Sequence, residues 1–242
     1  NGDMGNQGVH EIDMARWAIG GTLPRSVVSL GGRWVNERDF HDQAQTPNQI
    51  VSLFDYGDSL LLFETRGLVG TKDKRYPQIV SNELYFEAGV IREEKGGPKF
   101  YPKGKKEGEP LVKVDYHVHP GSHFANFINA CKSRRFTELN ADIEEGHLSA
   151  ALCHLGNISY RLGSPRNFEK PKDFSDNQVV GDSIMTLLEN TRAIGVEPEK
   201  TTLWVGPKLE FDAAKEKFVG NPAADDLLTR PYRKPFEVPE KV

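Results

Sequence analysis

The stretch best equipped for chemistry lies near the start of the 242-residue chain: Gly5-Asn6-Gln7-Gly8-Val9-His10-Glu11-Ile12-Asp13-Met14-Ala15-Arg16-Trp17. A glycine loop (Gly2, Gly5, Gly8) leads into a helix predicted from about Val9 to Ile19. Val9, Ile12, Ala15 and Ile19 repeat there at helical spacing, and Gly20-Gly21 stops it. His10, Asp13 and Trp17 fall at i, i+3 and i+7, on one side of that helix. A histidine in the first turn after a glycine loop is placed to project into a cleft, where an imidazole can give or take a proton near neutral pH. Asp13 is positioned either to orient His10 or to pair with Arg16. The competing reading is structural, a first-turn histidine held by a local acid.

The remaining candidates are weaker. His117, His119 and His123 form H-x-H-x3-H, and apart from Asp115 no cysteine or carboxylate cluster completes a ligand set, so no metal site is expected. His147 and His154 lie seven apart along one helix side and read as packing or capping groups. Trp34, Arg66 and Tyr85 fall on predicted strands, facing either substrate or a second subunit. Lys103, Lys105 and Lys106 read as a solvated hairpin tip. Cys131 and Cys153 lie in apolar helical patterns, which predicts buried free thiols; a disulfide between the two helices stays open.

These residues must be positioned by elements of two kinds. From Arg25 the hydrophobic period is two. Strands are predicted around Val27–Val35, Ile50–Tyr56 and Leu60–Thr65, with Tyr56-Gly57-Asp58-Ser59 as a hairpin turn. More are predicted at Ile79–Ala88, Val90–Glu93, Lys99–Pro102 and Leu111–Asp115. After Pro120 the period becomes 3.6. A helix over Ser122–Ser133 gathers Phe124, Phe127, Ile128 and Cys131 on one face. A longer helix runs from Ala141 to Leu162 with Asn140 as N-cap, and a third is marked by Ile184–Thr191. Short strands at Thr202–Val205 and Leu209–Phe211, a helix at Ala223–Leu228 and an extended tail from Pro231 complete the chain. The expected architecture is one α+β domain over residues 1–242. In it a large, mainly antiparallel open sheet packs one face on helices and leaves the other for a partner.

The composition is that of an ordinary globular chain, 37% hydrophobic and 27% charged. A net charge of -4 with scattered basic residues gives no reason to expect nucleic acid as a partner. No run of about 18 apolar residues exists to form a transmembrane helix.

The glycine loop running into G-x-H-x-x-D and a helix, followed by an antiparallel sheet, resembles the second domain of Gfo/Idh/MocA proteins. Later segments add to the likeness: His123-Phe124-Ala125-Asn126-Phe127-Ile128, Asn140-Ala141-Asp142-Ile143-Glu144-Glu145-Gly146-His147, Ala151–Gly163 and the closing Leu227–Pro235, similar to a bacterial branch. The resemblance implies an NAD(P)-dependent oxidoreductase acting on a sugar or polyol hydroxyl, with His10 as the proton-transfer group. Asn6, Asp13 and Arg66 are the residues that would bind substrate or shape the site. It also implies that NAD or NADP is held by an N-terminal Rossmann domain of the same protein, and that the sheet forms a homo-oligomer interface. This chain carries no G-x-G-x-x-G between strand and helix and is expected to hold no dinucleotide alone. Many family dehydrogenases have an acid four residues before the histidine, where this chain has Asn6, an amide that cannot accept a proton at neutral pH. Two alternatives therefore stand beside the dehydrogenase: an NAD-dependent glycosidase-like enzyme of the same fold, and a non-catalytic dimerisation domain.

Overall fold

A computed structural model describes residues 2–35, 43–67, 79–111, 121–167 and 175–239. Among them the helices are α1 (Gly8–Ile19), α2 (His123–Ser133), α3 (Ile143–Arg161), α4 (Gln178–Ala193) and α5 (Pro222–Asp225). The strands are β1 (Ser26–Gly32), β2 (Gln49–Asp55), β3 (Leu60–Arg66), β4 (Glu83–Phe86), β5 (Gly89–Arg92), β6 (Lys99–Pro102), β7 (Glu109–Pro110), β8 (Ser164–Asn167), β9 (Thr202–Val205), β10 (Leu209–Asp212) and β11 (Lys217–Phe218). Every described strand pair is antiparallel, and the class is α+β with open sheets. The expected strands divide between two sheets, one of seven strands and one of four. The chain forms two compact units accordingly.

The first unit comprises Asn1–Gly8, Leu23–Gln78 and Cys153–Val242. Its sheet runs β11-β10-β1-β2-β3, and the far end of β1 pairs instead with β9, which carries β8 at its edge. The β2–β3 hairpin closes as the alternation and turn residues require. Gly57 N–H donates to the Asp55 carboxylate at 2.8 Å, and Tyr56 N–H donates to the Ser59 carbonyl at 3.0 Å. Alternate residues of β1 and β2 then meet different helices. On one face Ser29 Oγ and Ser52 Oγ share a hydrogen bond of 2.7 Å, Ser29 Oγ donates to the Gly156 carbonyl of α3, and Ser29 N–H donates to Ser159 Oγ. On the other, Leu30 and Val51 pack with Val180, Ile184 and Leu187 of α4 and with Leu203 and Val205 of β9. Gln49, on that same side, donates to Thr191 Oγ1 of α4 at 3.1 Å.

Helices thus cover both faces of the sheet's centre, and the expectation of one covered face and one left open is corrected. The reason lies in the sequence of β2. Both of its residue sets need cover: Ile50 and Phe54 on the α3 side, Val51 on the α4 side, each under 5% exposed. Each such side chain contributes about 1.5–3 kcal/mol when fully buried. Strand β8, which the Gly163 and Pro165 stop signals concealed, is an edge strand, where proline is tolerated.

The second unit comprises Val9–Thr22 and Ile79–Leu152. It holds the meander β4-β5-β6-β7, with Glu11 of α1 accepting from the Asn82 side chain at 2.9 Å. Helix α2 begins where Ser122 Oγ accepts from Ala125 N–H and ends at Arg134, whose φ of 60° is left-handed. Its apolar stripe faces outward: Phe124, Phe127 and Ile128 are 49–69% exposed, and Cys131 is exposed with them. Asn126 and Ala130 are buried instead. Asn126 holds the helix down by a polar clamp, donating to the Glu138 carbonyl at 2.7 Å and accepting from Asn140 N–H at 3.0 Å. The cap of α3 is Asp142, which accepts from Glu144 N–H at 2.7 Å; Asn140, the expected cap, lies two residues too early. Residues 112–120, which contain most of the strand expected at 111–115 together with Asp115, His117 and His119, lie outside the described residues.

Both cysteines are free, and only Cys153 is buried, which corrects the expectation of two buried thiols. Burial pushes the Cys153 thiol up to about 11, so at pH 8 almost none of it is thiolate, the reactive form. Ellman's reagent added to native protein at pH 8 is expected to titrate Cys131 quickly and Cys153 only after unfolding. Two equally fast thiols would contradict this placement.

Candidate functional site

Helix α1 has two unlike sides. Ile12 and Arg16, one turn apart, are 1% and 0% exposed. His10, Met14 and Trp17 form the open side, with Met14 49% and Trp17 55% exposed. Gly8 permits the helix to start where it does: a Cβ there would lie 2.6 Å from Phe63 Cζ on β3.

His10 is exposed, in the first turn of α1, as the glycine loop predicts. Among the described residues it makes no side-chain hydrogen bond, to Asp13 or to any other group. Of the two roles open to Asp13, the observed one is pairing with Arg16, whose Nη2 is 3.7 Å from Asp13 Oδ1. Asp13 also accepts a hydrogen bond from Ser149 Oγ on α3.

Arg16 is the centre of this arrangement and, among the described residues, the largest fully buried side chain. Its Nε donates to Ser149 Oγ at 2.9 Å, its Nη1 to the Gly21 carbonyl at 2.7 Å, and its Nη2 to the Glu145 carboxylate. The Arg16 carbonyl in turn accepts from both Gly20 and Gly21 N–H, at 3.1 and 3.0 Å. Those glycines sit at φ of 104° and 88°, a left-handed turn that side chains disfavour. A buried cation is tolerable only when its donors are satisfied in this way. The Asp13–Arg16 spacing is the one local signal of this network; Glu145 and Ser149 lie 129 and 133 residues away.

The other candidates separate. Asn6 and Arg66 belong to the first unit. Both are exposed; Asn6 N–H donates to the Asp3 carbonyl, and Arg66 pairs with Glu64 on its own strand. Trp34 is 6% exposed within the apolar core, its backbone bracketed by the Asn48 side chain, so it lines no ligand surface. Tyr85 is exposed on β4 with its hydroxyl on Glu83. His147 and His154 are exposed on α3. His123 opens α2 with its ring 4.0 Å from that of Phe124.

Among the described residues no group of three or more His, Cys, Asp or Glu side chains could hold a metal ion. Nor does any described strand pair in parallel around a glycine turn and helix, the arrangement that cradles a dinucleotide's pyrophosphate. The chain matches no protein-family model and no curated protein.

Arg16→Ala would leave Glu145 and Asp13 without their cation, Ser149 without its donor and the Gly21 carbonyl unpaired. It is expected to lower stability by about 3 kcal/mol in urea denaturation. Arg16→Lys should recover only part of this, because an ammonium cannot reproduce the guanidinium fork. A loss under about 0.5 kcal/mol for Arg16→Ala, the size of an ordinary surface change, would refute the network's importance.

Proposed function

We propose that this chain is the substrate-side portion of an NAD(P)-dependent oxidoreductase of the Gfo/Idh/MocA kind, acting on a sugar or polyol hydroxyl. The observation that carries the reading is His10: an exposed imidazole, unengaged among the described residues, on a helix locked from its opposite side by Arg16. A proton-transfer group needs that combination of free nitrogens and a fixed backbone. His10 takes the proton of the reacting hydroxyl as its carbon is oxidised. Asp13 acts at one remove, by holding Arg16 and Ser149 and so the helix that carries His10. NAD or NADP would accept the electrons, held by a Rossmann domain beyond these residues.

The test is turnover of the whole protein with a panel of sugars and polyols and both nicotinamide cofactors. His10→Ala is expected to lower kcat/KM by roughly 10²–10⁴-fold, with little change in stability because the side chain is exposed. Unchanged turnover in that variant would sink the proposal.

A second reading, an interface domain that joins copies of the protein, is favoured by the outward apolar stripe of α2. Isolated exposed side chains are ordinary, but three large ones at i, i+3 and i+4 form a contiguous patch of the kind that marks association sites. Sedimentation velocity over a wide concentration range is expected to show self-association that Phe127→Glu weakens. A monomer at every concentration would remove this reading.

A further inference from the structure

The C-terminal end of α1 opens on a cleft of about 420 Å³, lined chiefly by Trp17, Gly20, Gly21, Asn140, Asp142 and Glu145. We infer that this cleft binds a neutral saccharide ring stacked on the Trp17 indole, and that the substrate is a glycoside or oligosaccharide with at least two units. The binding stands on the cleft alone; its role in catalysis rests on the oxidoreductase reading of His10.

The shallow cleft offers an aromatic face, a fixed wall and a set of hydrogen-bond acceptors. One side is lined by the indole, 55% exposed yet carried on a helix whose preceding residue, Arg16, is wholly buried and hydrogen-bonded. Such a ring presents a rigid apolar face with one polar edge, suited to a ligand with an apolar C–H face and a hydroxyl rim. The wall is fixed by Asn126, which clamps the Glu138 carbonyl and the Asn140 N–H. The acceptors are carboxylates already half engaged. One oxygen of Glu145 binds Arg16, and Oδ1 of Asp142 takes the Glu144 N–H. Each leaves lone pairs for hydroxyl donors, and charge-assisted bonds to carboxylate are the stronger kind.

Charge narrows the ligand class. Among the described residues no lysine or arginine head group lines the cleft, so a phosphate or carboxylate ligand would meet acceptors and no cation there. A quaternary ammonium is recognised best by several aromatic faces, and among the described residues the cleft has one. A polyhydroxylated neutral ring satisfies both surfaces. Trp17 stands seven residues beyond His10 on the same side of α1, about 10 Å along the axis at 1.5 Å per residue. A single sugar ring does not span that distance; one unit at His10 and a neighbour at Trp17 do.

The experiment is binding without turnover. The whole protein, free of added cofactor, is applied to an array of neutral oligosaccharides, and hits are titrated by calorimetry against wild type, Trp17→Ala, Trp17→Phe and His10→Ala. Expected is at least one neutral ligand of two or more units, weakened roughly tenfold by Trp17→Ala and less by Trp17→Phe. His10→Ala, which removes a contact to the neighbouring unit, should weaken binding less than Trp17→Ala does. Unaltered thermal stability of Trp17→Ala shows that the loss is local, since the side chain is exposed. No neutral glycan bound, binding insensitive to Trp17→Ala, or tetramethylammonium bound in place of sugar would each overturn the inference. Trp17-dependent binding with no turnover on any hydroxyl would leave the saccharide cleft in place and remove the oxidoreductase reading. Turnover that needs His10 and ignores Trp17 would do the reverse.

Discussion

A single buried cation organises the region around α1. Desolvating a guanidinium costs several kcal/mol unless its donors find acceptors, so wherever Arg16 goes, acceptors must follow. They come from three places in the sequence: Asp13 on the same helix, Gly21 just past its end, and Glu145 and Ser149 on α3. Meeting that demand fixes where α1 stops, how the Gly20-Gly21 turn runs and where the first turns of α3 lie. The open side of α1, with His10 and Trp17, inherits its rigidity from that hidden side.

The first unit rests on a different kind of constraint. Its central strands carry apolar residues of both parities, so neither face can be left in water, and α3 and α4 take one face each. The two contacts differ in chemistry. Against α4 the sheet presents Leu30, Val51 and the ring of Trp34. Against α3 it presents serines, and the close approach is made by hydroxyls and a helix glycine.

Where the sequence was legible, a local pattern was enough. The β2–β3 hairpin follows from alternation broken by Tyr56-Gly57-Asp58-Ser59, and α1 from a glycine loop at one end and a glycine pair at the other. His10 was visible as a candidate because its position depends only on those local signals. The reading of α2 failed for a reason periodicity cannot express. Phe124, Phe127 and Ile128 do form a stripe, but the polar clamp of Asn126 decides which side turns inward. Arg16 was visible only as a neighbour of Asp13; its burial and its partners on α3 are tertiary facts. The cleft beside Trp17 was invisible for the same reason, since Asn140 and Glu145 reach it from more than a hundred residues away.

The serine ladder between sheet and α3 bears on how the sheet proofreads its own assembly. Ser29 and Ser52 are direct cross-strand partners, and both are needed at one point beneath the Gly156 carbonyl. If β2 slipped by one residue, Val51 or Leu53 would stand there, and a hydroxyl would be driven among the apolar side chains facing α4. A misaligned strand would thus strand a donor on one side of the sheet and orphan an acceptor on the other, each costing about 1–3 kcal/mol. An all-leucine seam would tolerate either alignment. Hydroxyls in this core therefore serve less to bind the layers than to make every wrong alignment of them unfavourable.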